Sequence, residues 1–167
     1  MTRIAAGLEG AFAARGFSEP SVGDLRDAAG VSLRTLYKYV PSRDDMVQAA
    51  LEHRHARYLS HVFDDLPDAP DVALAEIFAR VGLWMQTEAS HGCLFHAAVA
   101  AAPDSAPLRA LLERHKGEVA QRAAAAAGLP GQEVAVMLLI EGLTQSWPLR
   151  GDDAVAAAQR MGACLQG

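Results

Sequence analysis

Cationic and hydroxyl side chains cluster at positions 32–38, with a spacing that suits contact with a polyanion. If this segment is helical, at about 100° per residue, Arg34, Thr35 and Lys38 fall on one side. The opposite side is apolar and is predicted to pack inward; its residues are Leu33, Leu36 and Val40. Arginine and lysine on a helix can donate hydrogen bonds to guanine O6 and N7 in the major groove, and threonine can contact a phosphate or a thymine methyl group. The segment therefore indicates binding to double-stranded DNA.

A helix-turn-helix spacing would position this face. Ser21, followed three residues later by Asp24, is typical of a capping box and starts a short helix that Gly30 ends. Ser32 then caps a third helix, which is predicted to run through Tyr39. Two short helices joined by a tight turn match DNA-binding helix-turn-helix units, but similar units occur in helical proteins of other function. The spacing alone leaves both interpretations open.

The rest of the chain is also predicted to be helical. A first helix, with an apolar stripe along one side, is predicted to end at Gly16. A fourth helix is predicted to begin at the Ser42 cap and to run to about Phe63. No segment shows the sustained alternation of β-branched residues that is typical of strands. We therefore expect an all-α protein of about nine helices, with a three-helix helix-turn-helix head at residues 1–45 and a helical-bundle body at residues 46–167.

Four short motifs in the first 52 residues occur in register: FAARGF at 12–17, AAGVS at 28–32, TLY at 35–37 and PSR at 41–43. In this order they resemble the N-terminal DNA-binding domain of TetR/AcrR-type transcriptional regulators. The resemblance implies an all-helical homodimer whose body binds a small-molecule effector, most simply a hydrophobic one, and thereby releases a DNA operator. It also implies a repressor, with no enzymatic activity and no cofactor.

The resemblance gives roles to six residues of the head. It implies phosphate contacts for Ser32, Thr35 and Tyr37. It implies base contacts at variable positions for Arg34 and Lys38, and an approach to the DNA backbone for Arg43.

Apolar and aromatic side chains of the body are candidates for an effector pocket, because such pockets are largely apolar with a few polar groups. The candidates are Phe63, Phe78, Trp84, Met85, Phe95, His96, Met137 and Trp147. His96 would be the polar group. Aromatic residues at helical spacing also form ordinary cores, so core packing stays open as the alternative for each of them.

Two helices near the C-terminus carry more apolar surface than their own domain needs. Residues 134–140 are apolar on all sides, and the last helix has an apolar stripe of its own. Such a surplus predicts a homodimer interface, with these candidate residues: Val134, Leu138, Val155, Ala158, Met161 and Leu165.

The charge of the chain is unevenly distributed. The formal net charge is −5, but residues 1–60 contain 8 basic and 7 acidic side chains whereas residues 61–167 contain 7 and 13. The acidity therefore belongs to the body, and it does not exclude a head that binds DNA. Two cysteines without a CxxC motif and the lack of a long apolar run predict a cytoplasmic protein with no membrane contact.

Two alternatives remain at this stage. Glu52-x-x-His55 and Glu88-x-x-His91 repeat the ligand pair of di-metal helical bundles, with Glu118 and Glu141 as nominal further ligands. The other alternative is a protein of the same fold that binds ligands or partners but has lost DNA binding. The resemblance implies a basic arm before the first helix and a polar residue at position 33, whereas this sequence has only Met1–Arg3 and Leu33 there. Cys93 has no basic neighbour in sequence, which favours an inert thiol.

Overall fold

The structure, a computed structural model, describes residues 1–89 and 92–167. Within these ranges the regular elements are nine α-helices, and no strand is present. The all-α prediction is confirmed. The helices are α1 (Thr2–Arg15), α2 (Val22–Ala29), α3 (Leu33–Tyr39), α4 (Arg43–Phe63), α5 (Pro70–Glu88), α6 (Leu94–Ala101), α7 (Ala106–Ala126), α8 (Glu133–Arg150) and α9 (Asp152–Gln166).

The chain forms two compact units. The first consists of Met1–Arg57 and Leu94–Leu112, and the second of Tyr58–Cys93 and Glu113–Gly167. Helices α4 and α7 each contribute residues to both units. The predicted head, residues 1–45, lies wholly in the first unit, and its boundary with a body at residue 46 stays a prediction.

The predicted helix caps of the head are confirmed. The Ser21 hydroxyl accepts a hydrogen bond from the Asp24 backbone N–H, and the Ser21 backbone N–H donates to the Asp24 carboxylate, which completes a capping box. The hydrogen bonds from Ser21, joined by one from Arg15, lower the pKa of Asp24 to about 2. Gly30 ends α2 in the left-handed conformation, with φ of 64°.

A second, equivalent cap begins α4. The Ser42 hydroxyl accepts from the Asp45 backbone N–H at 3.1 Å, and the Ser42 backbone N–H donates to the Asp45 carboxylate at 3.0 Å. The fourth helix then runs without interruption to Phe63, as the sequence predicts. These two caps fix the start of the helix before the turn and the start of the helix after α3.

Helix α1 packs very closely against α2 through Gly7. A Cβ atom at this position would lie 2.2 Å from the Ala28 carbonyl oxygen and 2.7 Å from the Ala29 Cα. The apolar stripe of α1 is buried as its spacing predicts, with Leu8 and Phe12 fully enclosed. Helix α1 thereby serves as the platform on which the helix-turn-helix rests.

In the second unit, α5 packs against α8 and α9. The close approach of α9 depends on Gly162, where a Cβ would lie 2.6 Å from a ring carbon of Phe78. Helix α8 continues through Pro148 to Arg150, and the chain turns at Gly151 with φ of 52°. In the described part of the chain, no helix is both long and apolar enough to cross a membrane.

Candidate nucleic-acid interface

Helix α3 presents most of the predicted DNA-binding residues to solvent. Ser32, Arg34 and Lys38 are exposed, and 42% of the Tyr37 surface is exposed. The Lys38 ammonium group lies 5.5 Å from the ring centroid of Tyr39, a cation–π contact. The helix is anchored by Leu36, which is fully buried. Helix α3 therefore has an exposed basic face, and an α-helix is narrow enough to enter the major groove of DNA.

The start of α3 is fixed by a pair of hydroxyl groups. The Ser32 Oγ accepts a hydrogen bond from the Thr35 backbone N–H at 3.1 Å and lies 2.8 Å from the Thr35 Oγ1. This confirms Ser32 as the helix cap. Each hydroxyl therefore has a partner within the protein, and the pair holds the Thr35 side chain in one orientation. Phosphate contacts for Ser32 and Thr35 stay predictions.

Leu33 lies on the surface, so the prediction that it packs inward is wrong. Its exposed fraction is 44%, whereas Leu36 and Val40 are 0% and 2% exposed. A helical wheel considers only the angle around the axis, but burial also depends on position along it. Leu33 is the first residue of α3, one turn before Leu36. Helix α3 therefore exposes an aliphatic side chain in the row of residues next to that of Arg34 and Lys38.

Arg43 is engaged by the protein itself. Its Nη1 donates to the Pro20 carbonyl oxygen at 2.9 Å and its Nη2 to the Phe17 carbonyl oxygen at 2.6 Å, while the guanidinium lies 5.9 Å from the Phe12 ring centroid. Arg43 therefore connects the start of α4 to the turn between α1 and α2. Its predicted approach to the DNA backbone is not tested by these contacts and stays a prediction.

Two further contacts of the head carry no recognisable signal in the sequence. The Arg3 Nη2 donates to the Gly30 carbonyl oxygen at 3.1 Å, so the N-terminal segment contacts the helix-turn-helix turn. On the other side of α1, Glu9 is almost completely buried and is an acceptor for three side chains of α4: His53 Nδ1 at 2.5 Å, Arg54 Nη1 at 3.0 Å and Arg57 Nη1 at 2.8 Å. Sequence periodicity shows Glu9 only as a polar interruption of α1.

The candidate effector residues are divided between the two units. In the second unit, Phe78, Trp84 and Met85 are buried in one apolar core cluster, against which Phe63 and Trp147 pack. Met137 also belongs to this unit and lines a cavity of about 370 Å³ between α7 and α8. Phe95, which is buried, and His96, which is exposed, belong to the first unit. Their assignment to an effector pocket stays a prediction.

A ring cluster in the second unit includes histidines that the sequence does not single out. Tyr58 makes edge contacts with Trp84 and with His115, each at a centroid distance of 5.3 Å, and His61 lies 5.4 Å from Trp84. His115 is buried. Helices α4 and α7 thus bring imidazole rings to the aromatic side chains of Tyr58 and Trp84. Sequence patterns do not reveal this cluster because its members are far apart along the chain.

Another polar group of the second unit involves Cys93. The Lys116 Nζ lies 3.6 Å from the Cys93 sulfur and 2.6 Å from the Glu141 carboxylate, with both members of the ion pair largely buried. The sequence shows no basic residue beside Cys93, but the fold brings one from α7. Lys116 is the contact that the sequence interpretation of this thiol missed.

The proposed carboxylate–histidine pairs form no metal site in the described residues. There, no three His, Cys, Asp or Glu side chains lie together in a way that could hold a metal ion. Glu118 and Glu141 are each ion-paired to a basic side chain. Glu52 is exposed while His55 is buried, and His91, the second half of the other pair, lies outside the described residues.

The candidate dimer residues on α8 and α9 differ in how deeply they are buried. Val134, Leu138 and Met161 are exposed, Val155 and Leu165 are half-buried, and Ala158 is buried in the core of its own unit. Between the two helices runs an apolar groove of about 420 Å³ that is lined by Leu138, Met161 and neighbouring residues. The apolar surplus on α8 predicted from sequence is therefore present on the surface.

A capped helix-turn-helix with an exposed basic recognition helix, joined to a helical body, defines the class of helix-turn-helix regulators. Within that class, residues 4–50 match the profile of the tetR family of bacterial regulatory proteins. Solved structures of TetR-family regulators also share the fold of nearly the whole chain. The resemblance is thus confirmed: residues 4–50 match the tetR-family profile, and the chain has the fold of TetR-family transcriptional regulators.

Three solved structures illustrate this similarity of fold. A TetR-family transcriptional regulator from Streptomyces coelicolor is 19% identical with a TM-score of 0.82, and the match covers 98% of this chain and 92% of that one. A TetR transcription regulator from Haloarcula marismortui is 15% identical with a TM-score of 0.78, covering 98% and 94%. The fatty acid degradation regulator FadR from Bacillus halodurans is 14% identical with a TM-score of 0.66, covering 99% and 97%. No curated protein matches the sequence.

Proposed function

We propose that this protein is a cytoplasmic transcriptional repressor that binds a two-fold symmetric DNA operator as a homodimer and is released by a small hydrophobic effector. The observation that carries the proposal is the exposed basic face of α3, with Arg34 and Lys38 directed away from the buried Leu36. Two heads related by a dimer axis would place two such faces on half-sites separated by about one helical turn of DNA or more.

DNA binding would rest on few cationic contacts, because residues 1–60 have 8 basic and 7 acidic side chains. Dimerisation doubles these contacts and so raises the overall affinity without any new interaction within each head. Binding should weaken steeply as salt concentration rises, since each phosphate contact releases counterions. The acidic second half would keep the remainder of the molecule away from the DNA.

Replacement of Lys38 by alanine tests this face. We expect operator affinity to fall about fivefold or more, which corresponds to about 1–3 kcal/mol for a lost base contact, with an unchanged unfolding temperature because Lys38 is exposed. The measurement is a gel shift with DNA from upstream of the coding region. Arg122→Ala, which removes an exposed cation from α7, is the matched control. Equal affinities for wild type and Lys38→Ala would contradict the assignment of the face.

The proposed dimer interface is the apolar surface of α8 and α9. Val134 and Leu138 lie one helical turn apart and are both 65% exposed, and Met161 on α9 is 57% exposed. Leu138 and Met161 also line the groove between the helices, and an exposed apolar patch of this kind marks subunit interfaces. An isologous contact between two such patches would give a four-helix interface.

Leu138→Glu tests this interface. A glutamate at the centre of the patch should cost about 2 kcal/mol or more of association free energy, at least roughly thirtyfold in the dimer dissociation constant. Sedimentation equilibrium over a range of protein concentrations measures the change. Leu83→Glu on α5, where the leucine is 49% exposed, introduces the same charge elsewhere and should leave the dimer intact. The proposal fails if both variants associate like the wild type.

An effector is proposed to act within the second unit. The aromatic and apolar residues Phe78, Trp84 and Met85 share one core cluster there, and the buried Nε1 of Trp147 has no hydrogen-bond partner among the described residues. This N–H group could donate to an effector that carries an acceptor. Among proteins of the same fold, one is a fatty acid degradation regulator, which makes fatty acids a rational first set of probes.

The proposed coupling between effector and DNA uses α4, which belongs to both units. An effector that favours a different tilt of α4 would shift the population of molecules away from the spacing of recognition helices that the operator requires. Gel shifts with added fatty acids test this step. Release of the operator by one of them, at concentrations that leave the protein folded, would support the repressor role.

A further inference from the structure

Leu33 is an unusual residue on the exposed face of α3. The surface of this face is otherwise cationic or hydroxylated, yet Leu33 exposes 44% of its surface while Leu36, one turn later, is fully buried. An aliphatic side chain gains nothing from exposure to water, and Leu33 is not one of the buried core residues. The inference that follows rests on the proposed DNA-binding function.

The position of Leu33 places it beside the residues that would contact bases. It precedes Arg34 in the chain, and Tyr37 lies four residues later, so Leu33 and Tyr37 are neighbours along one flank of the helix. Arg34 and Lys38 form the adjacent row at the same i, i+4 spacing. The two rows together make a face on which one aliphatic group lies next to two cations.

The edges of base pairs in the major groove offer one apolar group, the 5-methyl group of thymine. A helix held in the groove by cations would bring Leu33 to the level of the base edges. There the thymine methyl group offers an apolar contact, whereas the other bases present polar atoms. The other exposed apolar side chains of α3, Tyr37 and Tyr39, each carry a phenolic hydroxyl. Leu33 is therefore the aliphatic residue of this face.

We propose that Leu33 determines operator specificity by contacting the 5-methyl group of a thymine in each half-site. The cationic neighbours supply the attraction to DNA, and Leu33 supplies a preference for thymine over cytosine at one position. Leu33 is then a specificity residue of the proposed DNA-binding surface.

The test separates the methyl group from the rest of the base. An operator is first obtained by selection from random DNA with the full-length protein. Each thymine of a half-site is then replaced in turn by deoxyuridine, which removes the methyl group and leaves base pairing unchanged. In wild-type protein, one position per half-site should weaken binding by roughly threefold to tenfold, the effect of losing one buried apolar contact.

Leu33→Ala identifies the side chain responsible. In this variant the same deoxyuridine substitution should have no effect, because the partner of the methyl group is already gone. Arg122→Ala on α7 serves as the control and should keep the full deoxyuridine effect. Since Leu33 is exposed, the unfolding temperature of Leu33→Ala should match that of wild type.

Each outcome is decisive. A deoxyuridine effect that is equal in wild type and Leu33→Ala, or absent from wild type that binds its operator, overturns the assignment of Leu33 and leaves the proposed function intact. Failure of the wild-type protein to enrich any DNA sequence contradicts the proposed function itself, and the inference falls with it.

Discussion

Replacement of Gly7 by alanine is expected to destabilise the protein by about 3 kcal/mol or more, the upper end of the usual cost of overpacking. The added Cβ would lie 2.2 Å from the Ala28 carbonyl oxygen and 2.7 Å from the Ala28 carbonyl carbon and the Ala29 Cα. All three atoms belong to the backbone of α2, so no side-chain rotation can relieve the collision. Helices α1 and α2 would have to separate.

The separation would also affect function. Helix α2 carries the turn and the capped α3, so a shift of α2 away from α1 moves the face that is proposed to contact DNA. Gly7→Ala should therefore lose operator binding together with stability. Urea unfolding followed by circular dichroism measures the first effect, and a gel shift measures the second.

Gly10 provides a matched control on the same helix. A Cβ at Gly10 meets no atom within 4 Å, and alanine is favoured over glycine in a helix by about 1 kcal/mol. Gly10→Ala should therefore stabilise the protein slightly. If Gly7→Ala and Gly10→Ala unfolded at the same urea concentration, the close packing of α1 on α2 would be wrong.

The two glycines show what sequence patterns can and cannot predict. Gly16 and Gly30 are recognisable because they end apolar stripes, and both have positive φ in the structure. Gly7 and Gly10 lie within a helix, and nothing in the sequence distinguishes the crowded position from the open one. The difference depends on where α2 crosses α1, which is a property of tertiary packing.

The candidate nucleic-acid interface also contains some features that the sequence predicts and others that it does not. The caps at Ser21, Ser32 and Ser42 follow from local hydrogen bonding and were predictable. The exposure of Leu33 was not predictable, because a helical wheel does not show which turns of α3 pack against the rest of the head. The carbonyl partners of Arg43 lie 23 and 26 residues away in sequence, and such contacts have no local signature.

Replacement of Glu9 by alanine is the other change with a large expected effect. Glu9 is 2% exposed and lies on α1, and its carboxylate accepts from His53, Arg54 and Arg57 on α4. The Arg54 side chain is itself only 4% exposed. Removal of one partner from a buried ion pair leaves a charge in a poorly solvated environment, which typically costs about 3–5 kcal/mol. We expect a loss of about 3 kcal/mol in the free energy of unfolding.

Salt dependence and a control variant distinguish the effect of this buried cluster on stability from the effect of an ordinary surface charge. Glu19 is exposed, and Glu19→Ala removes the same charge with an expected effect within about 0.5 kcal/mol. Added salt screens exposed pairs but screens buried ones much less, so the deficit of Glu9→Ala should persist at high ionic strength. A deficit that disappears in salt, or one that Glu19→Ala reproduces, would show that net charge accounts for the effect. If the deficit persists, the buried carboxylate of Glu9 contributes to fixing α4 to α1, and α4 is the helix through which an effector is proposed to reach the head.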